Sequence, residues 1–236
     1  MIPNTTSLQT PQFKSSTYRD AYSRINGLVV VGEGLADRHF RLLARSIPED
    51  RDELERLASM EGRHAMQFVG CGRHLGIKPD LALARRLFAP LHQLFLDCDR
   101  AGDLTGCLVI QGLIVECFAV AAYRCYLPVA DSYARPITAA VIDDEAEHLN
   151  YAERWLGQRL PGVAEGVRRI STQALPIALG ILQSLSDDLQ AVGIDPIELL
   201  GCFTLLFQQA LEAIGFEAAV ARRILIGAAA ASVAPA

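Results

Sequence analysis

The sequence is poor in aromatic residues and lacks the patterns that mark several large classes of protein. Only 7% of its 236 residues are Phe, Trp or Tyr, and no alternating run of Val, Ile and Thr lies between turn signals. Basic residues do not cluster with aromatic ones, and the net charge of −5 disfavours nucleic acid as a partner. What remains, with 51% hydrophobic residues rich in Ala and Leu, is typical of one compact all-α domain over residues 1–236.

The cysteines lack the spacing of a metal finger or a redox motif. No Cys-x-x-Cys pair occurs, and the six cysteines are scattered along the chain at Cys71, Cys98, Cys107, Cys117, Cys125 and Cys202. This distribution favours reduced thiols, which predicts a cytoplasmic protein.

The sequence indicates neither a signal peptide nor a membrane span. Residues 1–17 are polar without a hydrophobic run, and we expect residues 1–15 to form a flexible N-terminal segment. Residues 104–123 are apolar and long enough to cross a bilayer. Because Gln111 and Glu116 lie inside that stretch, where a charge would be costly in lipid, a helix buried within the protein explains it better.

Proline, glycine and capping residues divide the chain into about eight helices. Asp195 and Pro196, for example, combine an N-cap residue with proline at the first helical position. We expect kinks at Pro136 and Pro176, where a proline removes a backbone hydrogen bond. The predicted helices cover residues 16–46, 48–76, 79–101, 103–127, 130–160, 161–192, 195–215 and 216–230.

A pair of Glu-x-x-His motifs is the most informative feature of the chain. The first, at 61–64, lies 28 residues after Glu33, and the second, at 145–148, begins 29 residues after Glu116. Residues i and i+3 share one face of a helix, so each motif directs a carboxylate and an imidazole to the same side. The chain therefore carries two matched sets, each with two carboxylates and one imidazole.

A single Glu-x-x-His motif usually lies on a solvated helix face, so its surroundings decide its role. Glu33 and Glu116 are flanked by Val, Leu, Ile and Phe, where an unpaired carboxylate costs several kcal/mol to desolvate. Four glutamates and two histidines from four helices are the ligands of ferritin-like di-iron and di-manganese proteins. We predict a ferritin-like helical bundle with a dinuclear metal site, whose ligands and catalytic residues are Glu33, Glu61, His64, Glu116, Glu145 and His148.

The types of ligand restrict which metals the site can bind and which reactions it can support. Oxygen and imidazole ligands without thiolate fit iron or manganese better than structural zinc. The spacing leaves two iron ions, two manganese ions and a mixed pair open. Such a centre can bind and reduce O₂ when external electrons arrive. Another di-metal oxidase or ferroxidase, and a metal-free helical interaction module, remain as alternatives.

Several segments of the chain resemble the cyanobacterial aldehyde-deformylating oxygenases, also called aldehyde decarbonylases. The resemblance covers residues 16–226, with all six predicted ligands in register. The segments are 21–26 (AYSRIN), 51–54 (RDEL), 114–119 (IVECFA), 121–123 (AAY), 128–131 (PVAD) and 210–216 (ALEAIGF).

The resemblance implies a monomeric helical enzyme that acts on long-chain fatty aldehydes. It implies that an aldehyde of n carbons becomes an alkane or alkene of n−1 carbons, with formate as the co-product. O₂ is the implied co-substrate, and ferredoxin with its reductase is the implied source of four electrons. An acyl-carrier-protein reductase is the implied supplier of the aldehyde.

The ligand helices also predict which residues support the ligands and which line a substrate tunnel. We expect Asp144 to accept a hydrogen bond from the His64 imidazole or to pair with Arg63. Glu147 lies about 200° round the helix from Glu145 and should face away from the metals. The aldehyde tail should occupy an apolar tunnel lined by Ile25, Leu28, Val29, Phe68, Gln111, Phe118, Ala119, Ala122, Tyr123 and Tyr126.

At a few positions the chain departs from the pattern of that family. The family commonly has tyrosine at the position of Phe40, a Tyr-Leu pair at 146–147, and larger residues than Gly62 and Ala65. None of these differences removes a predicted ligand. They bear on chain-length preference, helix stability and rate rather than on the class of reaction.

Overall fold

In the computed structural model, which describes residues 12–233, all regular secondary structure is helical. A π-helical segment, Val109–Val115, joins α4 to α5 without a break, and short 3-10 turns occupy Pro48–Asp50 and Leu127–Val129. The helices are α1 (Ser16–Ser46), α2 (Arg51–His74), α3 (Leu81–Arg100), α4 (Leu104–Leu108), α5 (Glu116–Tyr126), α6 (Ala134–Gly157), α7 (Ala164–Ser184), α8 (Ser186–Ala191), α9 (Pro196–Ala213) and α10 (Ala218–Val233). The predicted all-α architecture is confirmed.

Local sequence signals explain where most of these helices begin and end. Asp80 and Asp103 each accept a hydrogen bond from a backbone N–H three residues later, which caps α3 and α4. Gly76 has a φ of 64° just beyond α2, a conformation that favours glycine. The N–H of Ile77 then reaches back to the carbonyl of Gly72 at 2.8 Å, which closes the helix end. The predicted bounds of α1 to α3 agree with these signals.

Four helices, α1, α2, α5 and α6, surround the centre of the bundle. The helix α1 packs along α2, α2 also contacts α6, and α6 packs against α5. The remaining helices cover this group: α3 lies on α1, α9 lies on α5, and α7 packs against the π-helical segment. Large apolar side chains such as Phe40, Leu54 and Phe207 are fully buried between them. The four central helices are the ones that carry the two predicted motifs and their preceding glutamates.

The helix boundaries differ from the prediction in two regions. The predicted helix over residues 161–192 is interrupted at Leu185, so that α7 and α8 are separate elements. The helix α7 itself continues through Pro176 to Ser184. Pro136 lies within the first turn of α6, where a missing backbone N–H costs no intrahelical hydrogen bond. The segment predicted as one helix over 103–127 contains the π-helical turns.

The apolar stretch in the middle of the chain is a core helix. Leu104–Val129 is the one stretch within the described residues that is long and apolar enough to cross a membrane, and 72% of its most apolar window is buried inside the protein. Residues 1–11 of the expected flexible segment 1–15 lie outside the described residues. Of the four residues inside them, Phe13 packs its ring against Tyr18, and Ser15 caps α1 by accepting a hydrogen bond from the N–H of Tyr18.

Candidate metal centre

The six predicted ligands come together in the interior of the bundle. Each of them is at most 4% exposed to solvent. The helix α1 supplies Glu33, α5 supplies Glu116, and α2 and α6 each supply one glutamate and one histidine. The i, i+3 spacing places the carboxylate and the imidazole of each motif on the buried face of its helix, as expected from helical geometry.

The six side chains form two overlapping groups that could each hold one cation. One group consists of Glu33, Glu61, His64 and Glu145, and the other of Glu61, Glu116, Glu145 and His148. Within each group, one ligand atom from every residue lies within 4.8 Å of the others. Because Glu61 and Glu145 belong to both groups, they can bridge two neighbouring ions.

The Nδ1 atoms of the two histidines point into this cluster. The Nδ1 atom of His64 lies 3.4 Å from a carboxylate oxygen of Glu33 and 3.4 Å from one of Glu145. The Nδ1 atom of His148 lies 2.7 Å from Glu145 and 3.0 Å from Glu61. Both imidazoles therefore present the same ring nitrogen to the carboxylates.

Four of the facing atoms are buried without a hydrogen-bond partner among the described residues. One is Oε1 of Glu61, which faces Nδ1 of His148 at 3.0 Å. The other three, Oε2 of Glu33, Nδ1 of His64 and Oε1 of Glu145, face one another. Buried polar atoms are nearly always satisfied in proteins, so a group of unsatisfied atoms that face one another needs an explanation. A metal cation between them satisfies two carboxylate oxygens and one imidazole nitrogen at once, and the donor set fits iron or manganese.

The electrostatics of the cluster also call for positive charge. Burial, reinforced by the neighbouring Glu145, raises the pKa of Glu116 to about 8. Burial and three neighbouring carboxylates raise the pKa of Glu61 well above its usual range. Burial alone would lower the pKa values of His64 and His148, but the surrounding carboxylates outweigh it and raise both to about 10. The carboxylates therefore hold protons or attract cations.

The outer nitrogen of each histidine has a different environment. Nε2 of His64 is 3.0 Å from a carboxylate oxygen of Asp144, which accepts a hydrogen bond from the Nε2–H group and leaves Nδ1 available for a metal. Nε2 of His148 has no hydrogen-bond partner among the described residues, and the ring of Phe40 lies 5.4 Å from its ring. The two halves of the centre are thus not equivalent.

The other two residues considered beside the motifs lie on the surface. Arg63 donates to the backbone carbonyl of Ser59 at 3.2 Å, on the exposed side of α2. Glu147 forms an exposed ion pair with Arg56 at 2.6 Å. Asp144 was predicted to contact either His64 or Arg63, and in the structure it contacts His64.

Two glutamates of the cluster accept hydrogen bonds from neutral side chains. The Tyr123 hydroxyl donates to Oε1 of Glu33, and the side-chain amide of Gln111 donates to Oε1 of Glu116 at 2.8 Å. Each hydrogen bond engages one carboxylate oxygen. The second oxygen of each glutamate remains directed toward the histidines.

An apolar cavity adjoins the cluster. Its empty space, including the mouth, is about 1150 Å³. Four of the predicted ligands contribute to its wall, namely Glu33, Glu61, Glu116 and Glu145. Nine residues predicted to line a tunnel also line this cavity: Ile25, Leu28, Val29, Phe68, Phe118, Ala119, Ala122, Tyr123 and Tyr126. Gln111, the tenth, is not part of the wall in the described region, and its amide donates to Glu116.

A second part of the cavity wall comes from helices without ligands and was not predicted. The predicted lining residues all lie on the ligand helices, and nothing in the sequence links α7 to α9 with the metal motifs. The residues concerned are Ala178, Ile181, Leu182, Leu185, Leu189, Ile194 and Leu199, together with Phe88 and Leu91 of α3. All nine are apolar, so this part of the wall is apolar throughout.

Comparison with known proteins agrees with this geometry. Residues 15–230 match the family described as long-chain fatty aldehyde decarbonylase. A solved structure described as Protein 19 with aldehyde deformylating oxidase activity, from Synechococcus, is 63% identical in sequence, and the two superpose with a TM-score of 0.90. That match covers 91% of this chain and 98% of the other. The chain belongs to the long-chain fatty aldehyde decarbonylase family.

Proposed function

We propose that this protein is an aldehyde-deformylating oxygenase. It converts a fatty aldehyde of n carbons, together with O₂, four electrons and three protons, into the alkane or alkene of n−1 carbons, formate and water. The observation that carries the proposal is that one apolar cavity reaches the carboxylate cluster, since four of the six predicted ligands also line its wall. A substrate with a polar head and a long apolar tail fits such a site.

We infer that two iron ions are the resident cofactor, with manganese or a mixed pair as alternatives. The first ion would be held by Glu33 and His64, the second by Glu116 and His148, and Glu61 and Glu145 would bridge them. When bound, the ions supply the redox chemistry that lets O₂ accept external electrons. Tyr123 and Gln111 orient Glu33 and Glu116 through their hydrogen bonds. The apolar wall excludes water and aligns the aldehyde tail.

The reaction needs reducing partners because one turnover consumes four electrons. On the resemblance to the family, ferredoxin and its reductase deliver them, and an acyl-carrier-protein reductase supplies the aldehyde. We further propose that the enzyme acts as a monomer in the cytoplasm. The six cysteines support that location because all of them are free thiols.

The direct test is an assay of the iron-loaded protein with octadecanal, O₂, and ferredoxin with its reductase. We expect heptadecane and formate in equal amounts, and no heptadecane under strict anaerobiosis. Carbon monoxide as the co-product, or undiminished alkane formation without O₂, would contradict the mechanism. Catalytic oxidation of Fe(II) by a protein that assembles into a shell, with no hydrocarbon formed, would favour the ferroxidase alternative.

A further inference from the structure

A buried histidine outside the predicted ligand set is hydrogen-bonded through both of its ring nitrogens. His39 of α1 is 3% exposed, and its ring stacks on Phe95 with the centroids 3.7 Å apart. Its Nδ1 atom lies 2.6 Å from Oε1 of Gln111, and its Nε2 atom lies 2.8 Å from Nδ1 of the half-buried His92. Such complete satisfaction of a buried imidazole fixes its orientation in the core.

This histidine is part of a continuous chain of hydrogen bonds that ends at the metal centre. From His92 the chain runs through His39 to Gln111, and the Gln111 amide then donates to Glu116 at 2.8 Å. The last contact joins residues five positions apart. In a regular α-helix such residues point about 140° apart, whereas the π-helical segment Val109–Val115 brings them to the same side.

With Glu116 ionised, as a metal ligand requires, the chain has one direction in which every hydrogen bond is satisfied. The Glu116 carboxylate accepts, so Gln111 must present its NH₂ group to it and its carbonyl oxygen to His39. His39 then carries its proton on Nδ1, and its Nε2 accepts from Nδ1 of His92. Burial lowers the pKa of His39 to about 3, so the ring is neutral near pH 7 and has one donor and one acceptor.

We propose that His39 and His92 are positioning residues, which hold the Gln111 amide in the orientation that donates to Glu116. The hydrogen bond ties one Glu116 oxygen to Gln111 and leaves the other for the metal. Without His39 the carbonyl oxygen of Gln111 loses its partner, so the amide is no longer held at the position from which it donates to Glu116. The inference rests on the proposed role of Glu116 as a ligand, and on the proposed function only to that extent.

Anaerobic titration of the metal-free protein with Fe(II) alone tests this inference. His39→Phe keeps an aromatic ring against Phe95 but removes both hydrogen bonds. We expect it to weaken Fe(II) binding by about tenfold or more, the usual effect of losing an outer partner of a metal ligand. His39→Asn retains an N–H donor for Gln111 and should recover most of the affinity. His92→Phe removes only the outer link and should cost a few-fold.

The matched control is His74→Phe, since His74 is an exposed histidine that also stacks on an aromatic ring, that of Tyr133. It should bind Fe(II) like the wild type. Equal losses in His39→Asn and His39→Phe, or unchanged affinity in His39→Phe, would overturn the proposal. If His39→Phe does not fold, as judged by thermal unfolding, His92→Phe decides, and wild-type affinity in that variant also overturns it.

The same measurements separate this inference from the proposed function. A wild-type protein that binds two Fe(II) ions but forms no hydrocarbon refutes the proposed reaction and leaves the role of His39 standing. A spectrum of the Co(II)-substituted protein gives an independent readout, because its visible bands depend on the ligand geometry. We expect His39→Phe to shift these bands and His39→Asn to restore them. Bands that are identical in all variants argue against positioning.

Discussion

Asp144 of α6 accepts a hydrogen bond from Nε2 of His64 on α2, at 3.0 Å, and thereby links the two helices that carry the Glu-x-x-His motifs. The contact holds a proton on Nε2, so Nδ1, which faces Glu33 and Glu145, is the nitrogen that can give up its proton and bind a metal. The Asp144 side chain is 43% exposed, so water reaches the outer side of this contact.

The first prediction concerns this contact. Asp144→Asn removes the charge of the acceptor and should weaken Fe(II) binding by about tenfold, because charge-assisted hydrogen bonds are stronger than neutral ones. Glu147→Gln is the matched control, since Glu147 lies on the same helix and pairs with Arg56 on the surface. Isothermal titration with Fe(II) measures both. A larger loss in Glu147→Gln than in Asp144→Asn would contradict the assigned role.

The second prediction uses the overlap between the two groups of ligands. Glu145 belongs to both groups, whereas Glu33 belongs to one. Glu145→Ala should therefore abolish binding of both ions, while Glu33→Ala should retain about one ion per chain. Iron analysis of purified protein counts them, with Glu153→Ala on the same helix as a control that should keep both. Two ions bound by Glu145→Ala would rule out the bridging arrangement.

The sequence predicted which six side chains meet in the core because their positions obey helical spacing. The repeated Glu-x-x-His motifs and the isolated Glu33 and Glu116 depend only on which face of a helix is buried, and that follows from the local pattern of apolar residues. The Asp144 contact with His64 follows from the same geometry once α2 and α6 are placed side by side.

The π-helical turns and their consequences could not be predicted in this way. A π-helix has no distinct local sequence signal and is retained here where side chains from other helices meet it, such as His39 from α1. Gln111 was therefore assigned to the cavity wall rather than to Glu116. The break at Leu185 and the contribution of α7 to α9 to the cavity likewise depend on packing between distant parts of the chain.

The third prediction is that the buried carboxylate cluster destabilises the protein when no metal is bound. Burial and three neighbouring carboxylates make ionisation of Glu61 unfavourable. Glu61→Gln replaces the carboxyl group with a neutral amide of similar shape and should stabilise the metal-free protein by about 1 kcal/mol, or roughly 2–4 °C in Tm for a chain of this size. It should also lose Fe(II) binding. Thermal unfolding in the presence of a chelator measures the stability, and a lower Tm in Glu61→Gln would contradict the prediction.

The fourth prediction concerns the pH dependence of the metal-free protein. Glu116 has a pKa of about 8 in the folded state against an ordinary value of 4.5, and His64 and His148 have values of about 10 against 6.5. Between those limits the folded state binds more protons than the unfolded state, so the free energy of unfolding falls as the pH rises. The Glu116 contribution is lost between about pH 4.5 and 8, and the histidine contributions between about pH 6.5 and 10.

Thermal unfolding from pH 6 to pH 9 checks this dependence. In the metal-free protein the Tm should decrease steadily over the range. With Fe(II) bound under anaerobic conditions the Tm should change less, because the metal ions take the place of the protons that the cluster otherwise holds. The lowered pKa of Glu145, which arises because hydrogen bonds from the two histidines outweigh its burial, acts at more acidic pH and does not offset the trend. A Tm of the metal-free protein that rises toward pH 9 would contradict the raised pKa values of Glu116, His64 and His148.

The last prediction concerns the cavity wall formed by α9, and two adjacent leucines provide the comparison. Leu199 lines the cavity and is 1% exposed, whereas Leu200 is 36% exposed on the outer side of the same helix. Leu199→Phe adds volume to the apolar wall and should lower kcat/KM for octadecanal by about tenfold relative to a ten-carbon aldehyde, because apolar pockets discriminate chain length by a few kcal/mol at most. Leu200→Phe should leave the ratio unchanged. Equal ratios in both variants would mean that the aldehyde tail does not reach α9.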